Sequence, residues 1–239
     1  IILVPAFFYV FTALGFGSGQ LMQVCLATSL ATIVVTSVRS VLAHHRKGAV
    51  DWHILRTWAP GIAIGAIAGV VIAASLRSAV LQAVFGALAL GVGLYLLLGR
   101  TGWRLAGAMP GGIARALMSP AVGFLSVLMG IGGGSFGVPI MTLHAVPIHR
   151  AVATAAGFGV IIAVPSVAGF LMVSIEDAPP MTLGAVNLPA FAVIVAMTLI
   201  TAPLGVKLAH ALDAKPLKRA FGGFLTLIAL NMLRKVMMG

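Results

Sequence analysis

Charge is scarce in this sequence. Fifteen lysines and arginines and only four acids stand among 239 residues, so charged side chains make up 8% of the chain. A soluble domain of this length must cover a polar surface, and this chain lacks the residues to do it. Asp51, Glu176, Asp177 and Asp213 are the acids, and all fall in loops or at the ends of apolar runs. Buried carboxylate relays for protons or sodium are therefore disfavoured. One cysteine, Cys25, excludes a disulfide framework. The apolar runs lack the period-2 alternation of an outer-membrane barrel. No nucleophile–base pair or metal-ligand cluster occurs at one depth, so nothing points to an enzyme, a cofactor or a metal. His44, His45 and His53 gather beside Asp51, but their spacing matches no zinc pattern and reads as a solvated basic loop.

What is present is apolar. Hydrophobic residues make up 61% of the chain, and the mean hydropathy is +1.15. Continuous runs rich in Ala, Leu and Gly, each near the ~20 residues that cross a bilayer as a helix, recur at 21–43, 56–76, 79–99, 113–134, 150–174, 184–210 and 216–237. Shorter apolar segments lie at 1–14 and 136–146. The class that follows is an all-α polytopic membrane protein with the lipid bilayer as its surroundings. The formal net charge of +11 does not indicate nucleic acid, because no basic helix with interleaved aromatics appears. The basic residues cluster between spans. If 136–146 also crosses, as a broken or partial helix, Arg46, Lys47, Arg56, Arg100, Arg104, Arg115, Arg150, Lys207, Lys215, Lys218 and Arg219 share one side. The positive-inside rule makes that side cytoplasmic, with loops 44–56, 100–115 and 211–219 on it.

The two halves resemble each other. Gly69, Leu76, Leu81, Phe85 and Gly86 match Gly205, Leu212, Leu217, Phe221 and Gly222 at one spacing of 136 (residue 69 to residue 205). Val4-Pro5 matches Val138-Pro139, and Ala27-Thr28 matches Ala153-Thr154. The charge bias sends the span at 21–43 into the cytoplasm and the span at 150–174 out of it, so the repeats are inverted. We divide the chain into a first repeat at 1–99, a cytoplasmic linker at 100–112 and a second repeat at 113–239. The span at 113–134 has no partner in the first half, which opens at Ile1, three residues before Val4. The expectation is one further helix ahead of Ile1, for about eight long spans in all.

One segment runs against the helical pattern. Residues 130–139 read GIGGGSFGVP. Followed by IM and then RAVATAAGF, and preceded in the first half by LMQVCLATSLATIVVTSVRSVLAHHRKGAVDW, this sequence resembles the sulfite exporter TauE/SafE family of membrane proteins across essentially its whole length. The resemblance implies a permease of the bacterial inner membrane for sulfur-containing anions such as sulfite, sulfoacetate or another organosulfonate. Export by alternating access is the direction favoured; uptake of an organosulfonate or an anion channel are the alternatives. A homodimer is compatible with this reading.

The candidate substrate-binding residues follow from the break. Gly132, Gly133 and Gly134 remove side chains so that backbone N–H groups can approach an anion, and Ser135 adds a hydroxyl. Thr28 and Thr154 stand near the starts of the two matching spans, and Gln23 and Ser29 extend a polar lining on the first. Arg39 lies inside a span, where it either pairs with the anion or snorkels to the interface. His149 flanks the short crossing segment, where it could titrate during transport. The glycines have a second reading, close helix packing, which also fits Gly61, Gly65 and Gly69.

Overall fold

The computed structural model describes residues 1–98, 104–211 and 214–238, and the side chains of all of these except 202–211 and 214–218. Arg100, Lys207, Gly205, Leu212, Asp213, Lys215, Leu217 and Lys218 lie wholly or by side chain outside the described residues. Nine helices and one minimal hairpin are described: α1 (Leu3–Ala13), α2 (Leu21–Arg46), α3 (Trp52–Ser75), α4 (Ser78–Leu98), α5 (Gly112–Leu128), α6 (Gly134–Leu143), α7 (Ile148–Leu171), β1 (Thr182–Leu183), β2 (Val186–Asn187), α8 (Leu188–Ala211) and α9 (Ala214–Met238). This is an all-α polytopic membrane protein. Among the described residues, α2, α3, α4, α7 and the 219–238 part of α9 are each long and apolar enough to cross a bilayer.

Small residues decide which helices meet. α3 packs along α5, α4 along α9 and α2 along α7. A Cβ at Gly61 would strike Ser119, one at Gly65 the backbone of Pro120, one at Gly69 Val127, and one at Gly123 the carbonyl of Ile62. The α3–α5 seam is therefore a backbone-to-backbone approach of the small-xxx-small kind, the arrangement that holds helices together where no hydrophobic effect separates them from lipid. On the α4–α9 seam a Cβ at Gly93 would lie 3.2 Å from the Gly222 carbonyl, and one at Gly222 3.0 Å from that of Gly93. Gln82 Nε2 donates to the Met232 carbonyl across the same seam at 3.1 Å. Pro60, Pro120, Pro139 and Pro165 lie inside helices without ending them, as packed membrane helices allow.

Two boundaries differ from the sequence expectation, each for a local reason. The fourth span stops at Leu128, not at 134. Gly130 takes φ +57°, its N–H bonds the Val127 carbonyl at 2.9 Å, and the Ile131 N–H bonds the Ser126 carbonyl at 2.9 Å. That pair of bonds is a Schellman stop, which needs a left-handed residue where Gly130 stands. The sixth span starts at Leu188, not 184, because residues 182–187 form the two-stranded hairpin, with Thr182 paired to Asn187.

A four-residue match between the halves lies in these loops. Gly48-Ala49-Val50-Asp51 and Gly184-Ala185-Val186-Asn187 stand 136 residues apart (48 to 184), the spacing that also relates Gly69 to Gly205. The two glycines have φ +63° and +57°, and Val50 and Val186 are 5% and 4% exposed. Asp51 caps α3, its carboxylate accepting from the N–H groups of His53 and Ile54, both at 3.1 Å. Asn187 caps α8, its Oδ1 accepting from the Ala190 N–H at 3.0 Å.

Candidate functional site

The break between α5 and α6 opens on a cavity of about 1080 Å³. Gly130, Ile131, Gly132, Gly134 and Ser135 form one wall of it. The first N–H groups of α6 have no acceptor within their own helix, and the positive end of that helix lies in the wall. Ile1 and Leu3, at the start of α1, line the same cavity. The remaining wall is largely apolar: Ile33, Val92, Leu96, Val138, Pro139 and Phe221 contribute to it, along with Thr142 and Tyr95. Arg104 supplies a cation at the lining, and among the described residues no carboxylate faces the space.

The break is held from both sides by long helices. Ser29 on α2 donates its hydroxyl to the Gly130 carbonyl at 2.7 Å, in a buried contact. This satisfies a carbonyl that the stop of α5 would otherwise leave bare inside the protein. On the other side Gly133 lies against α7: a Cβ there would collide with Phe158 and come within 3.2 Å of the Ala155 carbonyl. Gly134 is the opposite case. A Cβ at Gly134 would meet nothing within 4 Å, because that position faces open cavity.

The sequence candidates therefore separate. Gly132, Gly134, Ser135 and Ser29 meet around the cavity. Gly133 sits in the same turn but points at Phe158. Thr28, Thr154 and Gln23 are fully buried, and their side chains have other partners. Thr28 Oγ1 accepts the Asn187 N–H at 3.0 Å, and Thr154 Oγ1 accepts the Asp51 N–H at 2.9 Å. Gln23 Nε2 donates to the Ala73 and Leu76 carbonyls at 3.3 and 2.6 Å, tying down the end of α3. Arg39 and His149 are exposed and outside the lining.

Sequence reasoning passed over Arg104 and the apolar wall, whose residues come from four separate helices and share no motif. It also missed the capping roles of Asp51 and Asn187. The repeated Gly-Ala-Val-Asp/Asn tetrapeptide was the signal that could have found them. The histidine loop is engaged internally in part: Trp52 Nε1 donates to His45 Nδ1 at 3.2 Å.

Comparison with known proteins agrees with this architecture. Residues 1–232 match the model of the family described as sulfite exporter TauE/SafE. A probable membrane transporter protein of Haemophilus influenzae is 27% identical over 237 residues, covering 98% of this chain and 90% of the relative. A probable membrane transporter protein of Methanocaldococcus jannaschii is 24% identical over 238 residues, covering 96% and 85%. No solved structure matches the chain. The chain therefore belongs to the sulfite exporter TauE/SafE family, and it is a multi-pass membrane transporter.

Proposed function

We propose that the protein exports a sulfur-containing anion across the bacterial inner membrane by alternating access, with the anionic group held at the Gly130–Ser135 break. The observation that carries this reading is the opening of that break, with the start of α6, on a cavity with no carboxylate in its described lining. Helix starts and unblocked amides stabilise an anion without a formal charge, and Arg104 adds long-range attraction. An anion leaving a negative-inside cell gains roughly 2.3 kcal/mol per charge per 100 mV, so export needs no coupling ion.

The cavity's size favours an organosulfonate over sulfite. A space of about 1080 Å³ exceeds what a four-atom oxyanion fills, and an organic tail would lie against Ile33, Val92, Leu96 and Val138. The inverted-repeat organisation belongs to the same proposal. It is supported by the spacing of 136, by the matched tetrapeptides, and by α1 and α6 both closing with a left-handed residue, Gly15 and Ala145. On the positive-inside rule, the Asp51 end is the cytoplasmic one in this proposal.

The test is transport in proteoliposomes of the full chain with sulfite, sulfoacetate, methanesulfonate and benzenesulfonate. Saturable flux that accelerates when the same anion is present on the opposite side is expected, with the organic sulfonates preferred. Flux that never saturates would make the protein a channel. No flux with any of the four would overturn the substrate class.

A further inference from the structure

The glycine break is clamped between two helices at Ser29 of α2 and Ala155 of α7. One residue before each of these stands a threonine whose hydroxyl is engaged in the opposite half of the chain. Thr28 accepts the N–H of Asn187, the cap of α8. Thr154 accepts the N–H of Asp51, the cap of α3. Both threonines are 0% exposed. The two caps close matching tetrapeptides, each with a left-handed glycine three residues earlier. Neither threonine lines the cavity, so neither is free to bind an anion there. Their shared arrangement needs another explanation.

We infer that Thr28–Asn187 and Thr154–Asp51 are the two latches of the transport cycle, each closing one end of the molecule and each geared to the anion site through the neighbouring residue. This rests on the alternating-access reading above. A shift of α2 that releases Asn187 must also move Ser29 against the Gly130 carbonyl. A shift of α7 that releases Asp51 must move Ala155 against Gly133. Occupancy of the break thereby biases both ends, which is the linkage a transporter requires between site and gates.

The latches differ in chemistry. At the Asp51 end the cap is a carboxylate and Arg150 approaches it at 3.8 Å, a partly exposed pair that contributes modestly. At the Asn187 end the cap is neutral, and its amide Nδ2 donates to the Pro180 carbonyl and to Thr182 Oγ1, both at 3.0 Å. The first latch is salt-sensitive and the second is not.

The experiment uses the full chain with Cys25→Ala and a reporter cysteine in the cavity wall, Val92→Cys, in sealed right-side-out and inverted vesicles. A membrane-impermeant maleimide is added from outside. Thr154→Val should raise labelling from the Asp51 end by about tenfold relative to the other end. Thr28→Val should do the reverse by a similar factor, the size expected for one lost buried hydrogen bond. Thr→Ser at either position keeps the acceptor and should leave the ratio unchanged. If the valine variants do not fold, Arg150→Gln and Thr182→Ala weaken the same two latches from partly exposed positions, and each should shift the ratio twofold to threefold in its own direction. Equal changes at both ends, or no change, would overturn the latch. Protection of Val92→Cys by methanesulfonate in the parent protein is scored separately. Its absence would count against the anion site, whereas the vesicle ratio alone decides the latches.

Discussion

Replacing Gly134 by alanine separates the anion site from the fold. Three glycines of the break carry different loads. At Gly130, φ is +57°, and a Cβ would lie 2.6 Å from Val4 Cγ2 and 3.0 Å from Leu26 Cδ2. Left-handed backbone costs a residue with a Cβ about 1–2 kcal/mol, and forcing a methyl into a filled site costs about 1–3 more. Gly130→Ala should therefore lose about 3 kcal/mol, a fall of roughly 6–12 °C in Tm for a chain of this size. Gly133→Ala should also destabilise, because its methyl would strike Phe158. Neither variant reports on binding alone.

Gly134 differs because its added methyl has open space around it, and its backbone is not left-handed. Alanine at the start of α6 should be neutral or stabilising by up to about 1 kcal/mol. The methyl does, however, project into the space where an anion would reach the amides. Losing one amide contact to a charged ligand is worth about 1.5–3 kcal/mol, which is roughly a tenfold to hundredfold rise in Kd. The assay is calorimetric titration of the purified full chain with methanesulfonate, alongside its thermal unfolding without ligand. The expected result is an unchanged or higher Tm with weakened binding, and Gly134→Leu should remove binding altogether. Unchanged affinity in both variants would refute the amide cradle.

Other substitutions test the supports of the site. Ser29→Ala leaves the buried Gly130 carbonyl without its donor, so unfolding should become easier by about 1–3 kcal/mol, read by denaturant titration in mixed micelles. Asn187→Ala removes a helix cap and two further hydrogen bonds; a loss of about 2–3 kcal/mol is expected, and a change under about 0.5 kcal/mol would contradict the capping role. Gly65→Val should disrupt the α3–α5 seam, since its side chain meets the Pro120 backbone. A markedly lower yield of folded protein by size-exclusion chromatography is the measurement, with Gly91→Ala, where a Cβ meets nothing within 4 Å, as the tolerated control.

The spans were legible because a bilayer leaves the chain few choices: twenty apolar residues without acids have one place to go, and the spans read from hydropathy fall on the observed helices to within a few residues except at the fourth and sixth. The first exception turned on a single backbone angle, the second on a short hairpin. Nothing in the hydropathy of Met129-Gly130-Ile131 says that the helix ends there; the stop depends on Gly130 turning left-handed, which a glycine permits but does not require. The candidate site was half legible for a related reason. Glycine and serine at 132, 134 and 135 advertise exposed amides whatever surrounds them, whereas Thr28 and Thr154 show only that a hydroxyl is present. Whether a buried hydroxyl faces a ligand or a helix cap depends on what is packed opposite. In this chain the opposite residues, Asn187 and Asp51, lie more than a hundred positions away. The tetrapeptides carry that information in a form periodicity does not weigh, as a repeat too short and too apolar to stand out from its surroundings. Their one difference, Asp against Asn, puts a carboxylate cap near Arg150 on α3 and a neutral amide cap on α8, a distinction of chemistry that no hydropathy pattern registers.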